Sequence, residues 1–261
     1  MITLADDLGH LSYVVTGDGP PLVLVHAGVA DHRMWDAVVP GLAERYTVIR
    51  YDLRGFGESA PPAGPYSDTD DLRRLLDHLG HARVRLVGAS WGGRVAVDFT
   101  LAHPGRVHCL ALFAAPWPGY DWSAEMHAYD AAETAAMAAG DVDAATGVNL
   151  DMWLRGPARG WEDVAPGLAD RVREPMRTSL VNMAVRDEHA QGPGAGDIAD
   201  ISVPTLVGTG KLDVADFQDI GRRYAAGIPG ATLVEFPDAG HLVALDAPAE
   251  LTAALLPFLA R

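Results

Sequence analysis

The ten residues Arg85-Leu86-Val87-Gly88-Ala89-Ser90-Trp91-Gly92-Gly93-Arg94 constrain this chain more than any other stretch. The run Val84 to Val87 is rich in apolar and β-branched residues, the pattern of a short buried strand. It closes in small residues around one serine, and Arg94-Val95-Ala96-Val97-Asp98-Phe99 then reads as the start of a helix. Gly88-Ala89-Ser90-Trp91-Gly92 therefore fits G-x-S-x-G in a strand–turn–helix setting, the nucleophile elbow. Such a turn holds the serine in strained backbone geometry, and glycine at its flanks removes side chains that would block it. The hydroxyl is then presented at a helix N-terminus, where partial positive charge favours an oxyanion. The bare pattern also describes a tight glycine turn whose serine caps a helix, so the order of the surrounding elements has to support it.

That order is an alternation of strands and helices. Residues 11–16 alternate in polarity and end at the turn Gly17-Asp18-Gly19-Pro20-Pro21. Leu22 to Val25 is an apolar strand, His32 to Arg45 a helix with Asp31 as N-cap, and Thr47 to Tyr51 the next strand. Asp68 to Leu79 is helical, with acids in its first turn. After the elbow comes a strand from Val107 to Phe113. The pattern resumes with a strand at 204–208, a helix from Val214 to Ala226, a strand from Thr232 to Phe236 and a helix from Ala247 to Leu259. This spacing predicts an α/β fold, a mostly parallel, doubly wound sheet covered on both faces.

From Trp117 to Ile198 the alternation stops. Ser123 to Ala139 is an alanine-rich helix, and a second runs from Asp141 to Leu154. Residues 166–190 are helical in pattern, with Pro175 breaking or kinking the helix. Gln191 to Gly196 reads as a flexible return. The expectation is a helical cap, residues 117–198, inserted into a core made of residues 1–116 and 199–261.

The 261 residues, 49% hydrophobic and 21% charged, suit one large soluble core with an inserted subdomain. A net charge of −15 disfavours nucleic acid and anionic membrane as partners. No apolar run approaches a membrane span, and the first residues carry acids rather than the basic and apolar regions of a secretion signal. A cytoplasmic protein is expected. The single cysteine, Cys109, lies in an apolar run and is expected to be a buried, inert thiol.

A serine hydroxyl is a poor nucleophile until a base takes its proton and a third group orients that base. Histidine suits the base, and functional loops in open parallel sheets follow the carboxyl ends of strands. The loop after the last strand, Pro237-Asp238-Ala239-Gly240-His241-Leu242, offers His241. The loop after the strand ending at Gly208 offers Asp213. Asp216 is the alternative acid but stands where a helix N-cap is expected. Asp121 lies beyond a strand end whose own residues, Ala114, Ala115 and Pro116, are not acidic. His26 reads as a structural, hydrogen-bonded histidine. His78 and His81 lack metal-ligand company, and Gly210-Lys211 lacks the first glycine of a phosphate loop, so neither metal nor nucleotide is expected.

With these pieces in order Ser90, Asp213, His241, the chain resembles the α/β-hydrolase superfamily over nearly its whole length. The segments that carry the likeness are LVLVHAGVADHRMW, DLRGFGES, LVGASWGGR, PTLVGTGKLD and DAGHLVALDAP. The resemblance implies Ser90 as nucleophile, His241 as general base and then acid, and Asp213 as orienting carboxylate. It implies an oxyanion hole of the backbone N–H groups of Gly28 and Trp91, with Ala27 standing where relatives usually carry glycine. It implies no cofactor.

Of the six tryptophans, Trp117, Trp122, Trp153 and Trp161 fall in the insertion, Trp91 follows the serine and Trp35 follows the oxyanion loop. Aromatic residues so placed either glue the cap to the sheet or line an apolar pocket. The candidate lining is Trp35, Trp117, Trp122, Met126, Tyr129 and Trp153, with His127 and Met152 as further positions. The expected function is hydrolysis of a small, relatively apolar carboxylic ester or lactone through an acyl-enzyme, with that small molecule as the one partner foreseen. The same residues resemble those of enol-lactonases, perhydrolases, carbon–carbon bond hydrolases, acyltransferases or cyclases, and triad-retaining receptors. These stand as alternatives.

Overall fold

Connection length decides how the strands pair. In the computed structural model, which describes residues 1–191 and 196–261, a two-residue turn folds β1 (Ile2–Asp6) back on β2 (Gly9–Thr16) in antiparallel register. The later strands are β3 (Pro21–Val25), β4 (Thr47–Tyr51), β5 (Val84–Ala89), β6 (Val107–Phe113), β7 (Thr205–Gly210) and β8 (Thr232–Phe236). From β3 onward each connection is long enough to return to the same end of the sheet, and neighbours pair in parallel. Among the described residues the eight strands form one sheet in the order β1-β2-β4-β3-β5-β6-β7-β8, with β2 antiparallel to β4. The edge strand β1, with the charged, poorly buried pattern Ile-Thr-Leu-Ala-Asp, was not expected.

The central strands are apolar on both sides because both faces are covered. Along β6, Cys109, Ala111 and Phe113 join one apolar cluster while Leu110 and Leu112 join the other, the period-2 alternation of a pleated strand. The first cluster packs under α1 (Val39–Ala43), α9 (Val243–Asp246) and α10 (Pro248–Leu259), the second under α2 (Asp68–His78), α3 (Trp91–Ala102) and α8 (Ala215–Gly227). Each fully buried leucine of this kind contributes about 1.5–3 kcal/mol. Cys109 is 1% exposed, and burial pushes its thiol up to about 11.

Three helices depart from expectation. The segment 32–45 is not one helix but a 3-10 turn, His32–Trp35, followed by α1. Pro40 has no N–H to continue the ladder, so the helix restarts with proline in its first turn. Asp141 caps α5 (Val142–Asn149), which passes into a π-helical turn at Leu150–Arg155. The stretch 166–190 divides into α6 (Leu168–Val181) and α7 (Met183–His189), but α6 runs through Pro175 and the break comes at Asn182. The flexible return expected after Gln191 falls mostly on residues 192–195, outside those described.

Together with α4 (Ala124–Ala138), capped by Ser123, these helices lie between β6 and β7 in the chain. They are tied to the loops at the carboxyl ends of the strands. Ser179 donates to the Gly28 carbonyl at 2.8 Å, Asn182 Nδ2 donates to the Gly55 carbonyl at 2.9 Å, and Tyr66 exchanges backbone bonds with His189 and Gln191. The loop 52–59 beneath them is itself fixed. Arg54, fully buried, forks onto both oxygens of Asp71 and reaches Asp6 and the Leu8 carbonyl. No helix among the described residues is long and apolar enough to cross a membrane.

Candidate active site

Ser90 sits between β5 and α3 at φ 50° and ψ −122°, a left-handed conformation that costs a non-glycine residue on the order of 1–3 kcal/mol. The neighbouring glycines make it possible. A Cβ on Gly88 would run into the Gly92 carbonyl, and one on Gly92 into the carbonyl oxygens of Val25 and His26. Two backbone bonds hold the turn: Ser90 N–H to the Phe113 carbonyl at 2.7 Å, and Arg94 N–H to the Ser90 carbonyl at 3.1 Å.

His241, in the loop after β8, brings Nε2 to 2.9 Å from Ser90 Oγ. Its Nδ1 lies 3.0 Å from Asp213 Oδ2 and 3.2 Å from Oδ1, and Asp213 follows β7. Asp213 Oδ1 also accepts the Val214 N–H at 2.7 Å, which fixes the carboxylate plane. Both side chains are buried, and the rings of Trp153 and Phe217 pack against the imidazole with centroids 4.5 Å away. A carboxylate on Nδ1 selects the tautomer in which Nδ1 carries the proton and Nε2 accepts from the serine. Asp216, the other acid considered, instead accepts the Ser123 N–H at 2.8 Å and joins α8 to α4.

Gly28 faces the same serine. A Cβ placed on it would lie 3.2 Å from Trp91 Cβ, so the two backbones approach closely. Neither the Gly28 nor the Trp91 N–H has an acceptor among the described residues, and Trp91 is the first residue of α3, where the N–H is an orphan of helix geometry. His26 is used structurally. Its Nδ1 donates to the Ala27 carbonyl at 2.8 Å, its Nε2 accepts the Leu53 N–H at 3.0 Å, and burial holds its pKa below the usual imidazole range.

A cavity of about 330 Å³ opens over Ser90, His241, Gly28 and Trp91. Its apolar wall comprises Val29, Phe56, Trp153, Met176, Leu180 and Met183, with Tyr66 and Tyr129 adding aromatic faces. Trp153 Nε1 donates to Tyr129 Oη at 2.9 Å, and Tyr129 donates its one proton to Glu133 Oε2 at 2.6 Å, with Asn149 Oδ1 at 2.9 Å beside it.

Of the six side chains expected to line this cavity, Tyr129 and Trp153 do. Trp35 does not, because its 3-10 turn packs down on the sheet and buries the indole completely in the core with Met34 and Leu42. Trp117 stacks on Tyr224 at 4.9 Å, and Trp122 lies between Tyr120 and Phe217. Met126 packs half-buried against the same cluster. The two tryptophans join the helical segment to α8, and none of the three lines the cavity. His127 is exposed, and Met152 lines a separate surface depression.

Some residues in or around the site carried no sequence signal. Arg186 stands in the charged stretch Met-Ala-Val-Arg-Asp-Glu-His, which reads as a solvated helix face. Asp68 receives Trp91 Nε1–H at 3.1 Å, and its pKa is raised to about 6, chiefly by burial. Asp31, His32 and Asp52 form a buried cluster with metal-ligating atoms close together. Those atoms are already engaged: Asp52 accepts from His32 and from the Glu58 N–H, and Asp31 from Arg33.

A parallel sheet whose strand ends carry a serine elbow, an aspartate and a histidine defines the α/β-hydrolase class. Residues 22–255 match the model of the alpha/beta hydrolase family, and the chain belongs to that family. A hydrolase from Pseudomonas aeruginosa PA01 superposes with a TM-score of 0.82 at 32% identity, covering 100% of this chain and 98% of the other. The enol-lactonase from Burkholderia xenovorans LB400 superposes at 0.81 with 25% identity and full coverage of both chains. The soluble epoxide hydrolase from Corynebacterium sp. (strain C12) is 42% identical over 106 residues, 40% of this chain and 37% of that protein. The match thus spans little more than a third of that relative's length.

Proposed function

We propose that this chain is a serine hydrolase that cleaves a small, relatively apolar carboxylic ester or lactone through an acyl-enzyme. The observation that carries the proposal is the continuous line from Asp213 to His241 to Ser90, ending beside two unengaged backbone N–H groups at the floor of a cavity. In this reading His241 Nε2 takes the Ser90 proton as Oγ attacks the carbonyl carbon. The developing oxyanion is held by the Gly28 and Trp91 N–H groups, each such donor contributing about 2.7–4 kcal/mol at the transition state. The tetrahedral intermediate expels the alcohol oxygen, which leaves with the proton from His241. A water then gives its proton to the same nitrogen, attacks the Ser90 ester and releases the acid.

The serine itself separates this chemistry from epoxide opening. Attack by Ser90 on a saturated carbon would leave an ether with no carbonyl for water to attack, and turnover would stop after one event. An acyl electrophile allows regeneration. The lactone half of the proposal draws on the likeness to the enol-lactonase, which covers this chain completely. Residues 117–198 act in this reading as the cap that walls the substrate cavity, on a core of residues 1–116 and 199–261.

The test is steady-state hydrolysis of p-nitrophenyl butyrate. Many turnovers per chain, abolished by Ser90→Ala, are expected. A stoichiometric burst followed by a stall would refute the hydrolase and favour a receptor that keeps the same three residues.

A further inference from the structure

Among the described residues, the cavity is lined by one guanidinium that no carboxylate grips directly. Arg186, on α7, lines it together with Ser90. Its Nη1 end is anchored, donating to the Ser179 carbonyl at 2.9 Å, and its guanidinium lies 3.9 Å above the Phe56 ring. Nε and Nη2 have no hydrogen-bond acceptor, and no carboxylate forms an ion pair with Arg186, among the described residues. Burial holds its pKa below the usual guanidinium value. Other sequestered arginines are treated differently: Arg54, Arg94 and Arg159 each find an aspartate.

The unengaged edge matters chemically. Nε–H and Nη2–H point the same way and form the fork that grips both oxygens of a carboxylate. A desolvated guanidinium edge with no acceptor is costly, and the missing partner is best supplied by a ligand. Two acids also line the cavity. Glu133 is engaged by Tyr129 and Asn149, while Asp187 and the nearby Asp68 act on Arg186 through space without accepting a hydrogen bond from it.

We propose that the substrate is an ester or lactone carrying a second, free carboxylate, and that the Arg186 fork holds this carboxylate while the carbonyl lies at Ser90. This rests on the hydrolase reading and narrows it: apolar walls around the chain of the substrate, one ionic grip at its far end. Arg186 is a specificity residue here, acting on binding rather than on bond breaking.

The test compares monomethyl glutarate with methyl pentanoate, in which a methyl group stands where the free carboxylate was. The wild type is expected to favour the glutarate ester in kcat/KM. Arg186→Gln should raise its KM roughly 10- to 100-fold and erase the preference for the glutarate ester, with a much smaller effect on methyl pentanoate; thermal unfolding of the variant checks the fold. Arg186→Lys should recover part of the loss, since it restores charge without the fork. Calorimetry of glutarate on Ser90→Ala, with and without Arg186→Gln, reads the subsite independently of turnover. Turnover of both esters with no preference, or an equal loss on both in Arg186→Gln, overturns the carboxylate subsite and leaves the hydrolase standing. Glutarate binding that depends on Arg186, in a protein that turns over neither ester, keeps the subsite and overturns the hydrolase.

Discussion

Replacing Asp213 by asparagine exchanges one carboxylate oxygen for an NH₂ and should silence the serine. Asp213 Oδ1 is held by the Val214 N–H at 2.7 Å, so in the variant that position must remain an oxygen. The new NH₂ then occupies the Oδ2 site, 3.0 Å from His241 Nδ1, and donates to it. The ring proton is driven onto Nε2, which faces Ser90 Oγ at 2.9 Å and can no longer accept from it. Flipping the amide would restore the acceptor on Nδ1 but set two donors against each other at Val214, at a cost of roughly 1–3 kcal/mol. Even the flipped form is neutral and stabilises the imidazolium less. The two effects together predict a fall in kcat of about 10³- to 10⁴-fold, or ~4–5 kcal/mol, with the fold and KM nearly unchanged. The assay is p-nitrophenyl butyrate turnover, with thermal unfolding as the control. Asp216→Asn should remain close to wild type, because its Oδ1 keeps accepting from Ser123. A loss below tenfold in Asp213→Asn, or an equal loss in Asp216→Asn, would refute the reasoning.

Other consequences can be measured directly. Trp35→Phe removes a buried Nε1–H that has no partner among the described residues, offsetting the cavity it leaves, so the unfolding free energy should move by less than about 1.5 kcal/mol. Its KM should stay constant; a tenfold shift would return Trp35 to the substrate site. Gly92→Ala drives a methyl into two backbone carbonyls and should cost at least about 3 kcal/mol, whereas Gly147→Ala, helical and with nothing within 4 Å of the added Cβ, should stabilise by up to about 1 kcal/mol. Comparable denaturant midpoints for the two would contradict this. The raised pKa of Asp68, about 6 in the folded chain, means that the native state retains a proton that the unfolded state has already lost. The resulting penalty is absent below about pH 4, grows between there and pH 6, and is complete above. Asp68→Asn should therefore gain on the wild type in melting temperature as pH rises to about 6 and hold level beyond. A constant difference from pH 4 to 8 would remove the basis for it.

The elements that proved legible in the sequence were those with a local cause. The central parallel strands announce themselves because both faces are buried and most of their residues are apolar. Ser90, Asp213 and His241 were identifiable because each follows a strand end in a short loop, where backbone position alone decides where the side chain goes. What escaped was decided by packing between distant segments. Nothing local distinguishes Trp153, whose ring meets His241, from Trp122, whose ring meets Phe217 on its other side. Trp35 lies beside the oxyanion loop in sequence yet turns inward, because a 3-10 turn rotates successive residues differently from the continuous helix expected there. Arg186 looks like one charge among several in its helix. Only the docking of α7 over Phe56 turns it toward the cavity.

The hydrogen bond from Ser179 to the Gly28 carbonyl has a mechanical meaning. In the proposed mechanism the carbonyl it grips belongs to the residue whose N–H would meet the reacting oxygen, so roof and floor share a single strut. If the roof swings aside to admit substrate, that peptide loses its brace, and the electrostatic trap is complete only after closure. Removing the strut with Ser179→Ala should therefore disturb entry and rate together, and a change confined to KM would show that the two surfaces move independently.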